Sequence, residues 1–159
     1  MLKIIKAQPI YVIILAILTV VLIGFIWFNS SESKPVSKEK SAVVTEILRP
    51  PIEPIVGKKV YGVNFVRKLA HVAEYSALGF LSALTLLLAR TKSRFKFQYK
   101  VLASLGLCIV VAAIDETIQV FSGRGPLVTD VLLDFSSAFA CALIVSVVWW
   151  AVKRKDHTA

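Results

Sequence analysis

The sequence predicts an all-α integral membrane protein with four transmembrane helices packed in a small bundle. Of its 159 residues, 57% are apolar and 18% are charged, whereas soluble domains contain about 45–50% apolar and about 25% charged residues. The apolar residues gather in four blocks that polar segments separate. We therefore expect one membrane-embedded unit, and this composition excludes disordered chains and disulfide-rich secreted scaffolds.

The first predicted span covers roughly residues 10–28. Its apolar run, Ile10–Phe28, contains no charged residue, and Lys3 and Lys6 precede it. About 20 apolar residues are needed to cross the hydrocarbon core of a bilayer, whereas a cleaved signal peptide has a shorter apolar core. We therefore interpret residues 1–28 as an N-terminal membrane anchor that is not removed.

The next segment, residues 29–66, is polar. It contains several serines, interleaved lysines and glutamates, and three closely spaced prolines. Mixed charges and prolines of this kind are typical of a solvated connection between helices. We expect an extracytoplasmic loop or linker here, with at most a short helix around Lys38–Leu48.

Residues 67–152 are predicted to form a three-helix membrane domain, with spans at roughly residues 69–89, 101–121 and 127–152. The apolar cores Tyr75–Ala89 and Val101–Ile114 are each too short to cross a bilayer alone, because an α-helix rises only about 1.5 Å per residue. These spans must therefore include neighbouring charged residues. Small residues such as Gly106 and Ala138 predict faces where helices pack closely.

Basic residues predict the orientation of the bundle. The segment Arg90–Lys100 carries five basic residues and no acidic one, and a high density of Lys and Arg marks the cytoplasmic side. The basic start of the chain and the tail at residues 153–159 agree, so we predict that both termini lie inside. The formal charge of +9 then reflects membrane topology, and it does not indicate a nucleic-acid partner.

Half of the acidic residues lie inside the predicted spans: Glu74, Asp115, Glu116, Asp130 and Asp134. A charged residue at the centre of a bilayer costs about 2.5–3.5 kcal/mol on insertion scales, so these groups must be paired, solvated or functional. Because successive helices run in opposite directions, the polar start of the second helix, the polar end of the third and the polar start of the fourth share one membrane face. With the N-terminus inside, that face is extracytoplasmic.

Other polar side chains align with these acids at helical spacing. The turn before the fourth helix adds Arg124, which would lie over the mouth of the cluster. We expect a ligand-binding cluster made of Lys68, His71, Tyr75, Asp115, Glu116, Gln119, Arg124, Asp130 and Asp134. Its acid–base candidates are His71, Glu74, Asp115 and Glu116.

The sequence contains no tight metal-ligand spacing such as His-x-x-x-His, so we expect no metal site and no cofactor. The carboxylates of the cluster nevertheless outnumber the cations near them. Either bound protons or a bound cation must balance that excess of negative charge.

These residues resemble the VanZ-like family of bacterial integral membrane proteins. The matching pieces are Arg67–His71, Glu74–Tyr75, Gly79, Asp115–Glu116, Gln119, Phe121, Gly123–Arg124, Asp130 and Asp134. The resemblance covers about residues 60–150, and Ser136 and Ser137 stand where the family often has glycine. It implies a multi-pass protein of the bacterial cytoplasmic membrane, a role in the cell envelope and an association with teicoplanin resistance. It brings no defined biochemical activity.

Several functions stay open at the level of sequence. The cluster could recognise an amphiphile at the outer leaflet, such as a glycopeptide antibiotic or a lipid-linked wall precursor, with basic side chains meeting phosphate or carboxylate groups and apolar helix walls meeting an acyl chain. It could belong to an interfacial enzyme that acts on a lipid-linked phosphate or glycan, in which a divalent metal held by His71 and the carboxylates is conceivable. It could be a structural ion-pair network. Proton-coupled transport fits less well, because polar residues thin out towards the cytoplasmic half.

Overall fold

The computed structural model describes residues 9–89, 97–123 and 128–158, and over these residues the chain is all-α. The helices are α1 (Pro9–Ser31), α2 (Lys34–Val56), α3 (Val63–Leu88), α4 (Phe97–Phe121) and α5 (Val128–Thr158). Of these, α1, α3, α4 and α5 are long and apolar enough to cross a membrane. The four predicted spans are therefore confirmed, while the inward placement of both termini stays a prediction.

The polar segment between the first two spans is more ordered than the sequence predicts. Instead of a short helix around Lys38–Leu48, α2 extends over 23 residues and continues through Pro50, Pro51 and Pro54. Prolines lack the N–H that an interior helical residue donates, so the last turns of α2 hold fewer backbone hydrogen bonds. The helix ends at Gly57, whose φ of 84° favours glycine and whose N–H donates to the carbonyl of Glu53 at 2.8 Å.

Side-chain contacts hold α2 against its neighbours. Lys40 forms an ion pair with Glu32 at the end of α1, and the hydroxyl of Tyr61 donates to the backbone carbonyl of Thr45. These contacts join α2 to the residue that follows α1 and to the turn that precedes α3. Residues 29–66 therefore contain an ordered helix that contacts α3.

The bundle is built around α3, which contacts all four other helices and packs most extensively against α5. Its buried centre joins Tyr75 and Leu78 of α3 to Val111 of α4 and Ala138 of α5. Large apolar side chains on the outer faces are exposed. Exposed apolar surface on membrane-length helices is the surface that lipid would cover.

The close approach of α3 and α5 depends on Gly79. A Cβ added at this position would lie 2.1 Å from the carbonyl oxygen of Ala138, so only glycine fits the observed helix separation. The prediction that Ala138 lies on a packing face agrees with this contact. Gly106 does not follow the prediction, because a Cβ there would meet nothing within 4 Å.

Candidate functional site

Several polar contacts between helices lie at the end of the bundle where α3 begins. Asn29 at the end of α1 donates to Glu74 Oε1 of α3 at 3.1 Å. The hydroxyl of Ser122, which follows α4, donates to the carbonyl of Ser30 at 3.0 Å. Between α3 and α5, Lys68 Nζ lies 3.9 Å from Asp130 Oδ1. The end of α1, the start of α3, the end of α4 and the start of α5 therefore meet, as helix alternation requires.

Three potential ligand side chains converge inside this end of the bundle. His71 comes from α3, Asp115 from α4 and Asp134 from α5, and one ligand atom of each lies within 4.8 Å of the others. His71 Nδ1 is 3.5 Å from Asp134 Oδ1. Asp115 is 0% exposed and Asp134 is 2% exposed. We call these three residues the His–Asp–Asp group.

Several polar atoms in and beside this group are buried without a hydrogen-bond partner among the described residues. They are His71 Nδ1, Tyr75 Oη, Asp115 Oδ1, Asp130 Oδ1 and Asp134 Oδ1. A buried polar atom that makes no hydrogen bond costs about 1–3 kcal/mol. A set of such atoms facing one region is expected where an ion, a water molecule or a ligand group is bound.

A chain of hydrogen bonds orients one carboxylate of the group. Arg67 Nη2 donates to Gln119 Oε1 at 3.0 Å, and Gln119 Nε2 donates to Asp115 Oδ2 at 3.1 Å. Gln119 is 2% exposed, so this chain runs from the surface into the buried centre. The predicted ligand-binding cluster omits Arg67, although the recognition hypothesis includes Arg67 among the basic side chains that would meet phosphate or carboxylate groups.

Several clefts lie at the polar end, and two of them share lining residues. A cleft of about 340 Å³ is lined by Asn64, Arg67, Lys68, His71, Asp130, Leu133 and Asp134. A larger cleft of about 620 Å³ lies between the first turns of α2 and α3, and we call it the basic cleft. Asn64 and Arg67 line both clefts, so the two clefts adjoin at these residues.

The remaining predicted residues lie in different surroundings. Tyr75 is fully buried beside the His–Asp–Asp group, whereas Glu74 faces α1 through Asn29. Glu116 is half-buried and is not a member of the group, although it is next to Asp115 in the chain. Arg124 lies outside the described residues. The structure thus brings together the histidine and one carboxylate from each of two other helices.

Four apolar helices of membrane length, with ionisable side chains buried at one end, define a multi-pass α-helical membrane protein. A family model described as VanZ/LLP1 matches residues 11–149. The chain belongs to the VanZ/LLP1 family, which confirms the resemblance found in the sequence. Neither the curated proteins nor the solved structures include a significant match to this chain.

Proposed function

We propose that this protein recognises an anionic amphiphile of the bacterial cell envelope at the extracytoplasmic face of the membrane. The ligand class is a glycopeptide antibiotic or a lipid-linked wall precursor. The observation that carries this proposal is the composition of the basic cleft. Its lining includes Lys34, Lys38, Lys59 and Arg67 and contains no acidic residue.

The backbone around the basic cleft favours an anion as well. Lys34, Ser37 and Lys38 belong to the first turns of α2, while Val63 and Asn64 begin α3. The N-terminus of a helix carries unpaired N–H groups and a partial positive charge, so it stabilises phosphate and carboxylate groups. Two helix starts and four basic side chains therefore provide positive potential at one cleft.

The basic cleft adjoins the cleft beside the buried polar centre. Arg67 lines the basic cleft, and it also lines the cleft that reaches His71 and Asp134. A headgroup bound by the lysines can thus place hydrogen-bond donors, such as amide or sugar groups, near the carboxylates. The exposed apolar side chain of Val60 lines the basic cleft and suits the chain of an amphiphile.

The extracytoplasmic placement is part of the proposal, and charge density supports it. The polar end lies at the start of α3 and the end of α4, and the connection between these two helices lies at their other ends. That connection belongs to the dense basic run Arg90–Lys100. Short connections rich in Lys and Arg remain in the cytoplasm. The basic cleft and the His–Asp–Asp group then face the compartment in which wall precursors and glycopeptides meet.

Two neighbouring lysines offer a matched test. Lys59 lines the basic cleft, whereas Lys58 is also exposed and does not line it. Purified protein in nanodiscs is titrated with a polyprenyl phosphate and, as a ligand control, with the uncharged polyprenol. A basic side chain near a bound anion contributes about 1 kcal/mol, which is about fivefold in Kd. We expect this loss in Lys59→Gln and wild-type affinity in Lys58→Gln.

The same variants are then tested with teicoplanin. We expect cells that express the wild-type chain to be less susceptible than cells that express Lys59→Gln, with equal amounts of protein in the membrane. The recognition proposal is wrong if the wild type binds polyprenol as well as polyprenyl phosphate and expression leaves teicoplanin susceptibility unchanged. Equal effects of Lys58→Gln and Lys59→Gln would show that bulk surface charge, not the cleft, attracts the ligand.

The His–Asp–Asp group favours a second candidate, an interfacial enzyme that acts on a lipid-linked phosphate or glycan. A histidine 3.5 Å from a buried carboxylate is a common acid–base arrangement, and Arg67 beside it can stabilise a developing anion. This reading predicts turnover of a lipid-linked phosphate by the purified protein and its loss in His71→Gln. Tight binding without turnover leaves recognition as the function.

A further inference from the structure

We infer that His71, Asp115 and Asp134 hold a divalent metal ion of the zinc type between α3, α4 and α5. This inference does not rest on the proposed ligand, because it concerns the inner polar group and not the basic cleft. The ligand set contains one imidazole nitrogen and two carboxylate oxygens. Mixed nitrogen and oxygen ligands suit zinc and similar transition-metal ions better than calcium or magnesium, which prefer oxygen.

The distances within the group fit such an ion. Zinc lies about 2.0–2.1 Å from nitrogen and oxygen ligands, so two ligands of a tetrahedral site are about 3.4 Å apart. His71 Nδ1 and Asp134 Oδ1 are 3.5 Å apart. All three ligand atoms lie within 4.8 Å of one another. Because the χ2 torsion of aspartate is broad, rotation of a carboxylate covers the remaining separation.

The hydrogen-bonding state of the group also points to a bound ion. Asp115 and Asp134 are almost completely buried, and each has one carboxylate oxygen without a hydrogen-bond partner in the described part of the chain. His71 Nδ1 is in the same state. The buried hydroxyl of Tyr75 is also unpartnered there, and it can bond to a water molecule or carboxylate at the metal.

Charge supports the same conclusion. Two ionised aspartates and a neutral histidine carry a charge of −2, which a divalent cation neutralises. Without a cation, bound protons would have to balance this charge, because ionised groups buried between helices in a membrane are expensive unless they are paired. Arg67 does not reach the aspartates directly, because its described hydrogen bond ends on Gln119.

Further hydrogen bonds hold one ligand in place. Gln119 donates to Asp115 Oδ2 and leaves Asp115 Oδ1 for the metal, and Arg67 in turn orients Gln119. Partners of this kind fix the direction of a ligand and raise affinity about 10- to 100-fold. Because each ligand comes from a different helix, no ligand spacing in the sequence could reveal the site.

The test measures zinc binding to the purified full-length protein in detergent micelles. The metal is removed with a chelator, Zn²⁺ is added back, and bound zinc per chain is determined by elemental analysis together with competition against a chromophoric chelator. We expect one zinc ion per chain. Affinity should fall at least about tenfold in His71→Gln, Asp115→Asn and Asp134→Asn, since changes to outer ligand partners alone cost that much.

Two variants serve as controls. Glu116→Gln makes the same carboxylate-to-amide change at the position next to Asp115, outside the His–Asp–Asp group. His157→Ala removes the other histidine of the chain. Both should bind one zinc ion with wild-type affinity. Helical content by circular dichroism and a single elution peak are measured for every variant.

A spectroscopic measurement on the wild-type chain tests the site even if the ligand variants do not fold. Co²⁺ added to the wild-type chain should give the visible absorption of a four- or five-coordinate site, and Zn²⁺ should displace it. The inference is overturned if the wild type binds no zinc stoichiometrically, or if Co²⁺ shows only the spectrum of the hydrated ion. It is equally overturned if folded His71→Gln and Asp134→Asn bind zinc as tightly as the wild type.

Discussion

The contact between Gly79 and Ala138 makes the packing of α3 against α5 sensitive to one methyl group. In Gly79→Ala the new Cβ would lie 2.1 Å from the Ala138 carbonyl oxygen, whereas ordinary contacts begin at 3.4 Å. The two helix backbones must therefore separate by about 1.3 Å. Forcing extra volume into a packed interface costs about 1–3 kcal/mol. We expect this loss in the free energy of unfolding.

The same separation should reach the polar end of the bundle. His71 and Asp134 are 3.5 Å apart, and Lys68 and Asp130 are 3.9 Å apart. Both contacts join α3 to α5, so an outward shift of one helix lengthens them. We therefore expect Gly79→Ala to weaken zinc binding as well as stability, although this residue touches no ligand of the proposed site.

The assay is reversible unfolding in mixed micelles, with denaturing detergent titrated and helix content followed by circular dichroism. Gly106→Ala is the matched control, because a Cβ there meets nothing within 4 Å and alanine favours a helix over glycine by about 1 kcal/mol. The control should be as stable as the wild type or more stable. If Gly79→Ala unfolds at the same detergent fraction as Gly106→Ala, the close approach of α3 and α5 does not limit stability.

Three further predictions concern the polar end and α2. Tyr61→Phe removes the hydroxyl that donates to Thr45, so hydrogen exchange in α2 should become faster by the equivalent of about 1 kcal/mol. Burial raises the pKa of Tyr61 above its ordinary value of 10.0, so the folded chain favours the neutral hydroxyl. The protection of α2 from hydrogen exchange should therefore be complete below pH 10 and decrease as the pH rises above 10. In Tyr61→Phe this decrease should be absent. Asn29→Ala removes the donor to Glu74. The free energy of unfolding in micelles should fall by about 0.6–1.7 kcal/mol. An unchanged unfolding midpoint would show that this hydrogen bond does not stabilise the protein. Lys58→Cys, in a chain without its native cysteines, should react with an impermeant maleimide added outside intact cells, and labelling only after lysis would reverse the predicted orientation.

Hydropathy was enough to predict the four membrane helices, because long apolar runs have few other stable environments. The alternation of helix direction also predicted that Glu74, Asp115 and Asp134 lie at one end. Helix rotation and separation could not be predicted in the same way. They depend on tertiary contacts such as that between Gly79 and Ala138. The sequence alone predicted a packing face at Gly106, where the structure shows no close contact.

The candidate site was predicted as a set of polar residues without an internal arrangement. Adjacent acids such as Asp115 and Glu116 look alike in sequence, but they project about 100° apart on a helix, and only Asp115 joins the His–Asp–Asp group. The extent of α2 was missed because three prolines normally end a helix. In this chain, Lys40 pairs with Glu32 and Thr45 accepts a hydrogen bond from Tyr61 in the turns that precede these prolines.

The pairing of α3 with α5 also has a consequence for biosynthesis. Lys68 and Asp130 are separated by 62 residues of chain, so at about 5–20 residues per second α3 leaves the ribosome about 3–12 s before its partner. During this interval His71 and its neighbours have no carboxylates from α5, and their polar end must stay hydrated at the membrane surface. We therefore expect the arrival of the last helix, and not the insertion of α3, to set the moment at which His71 leaves water.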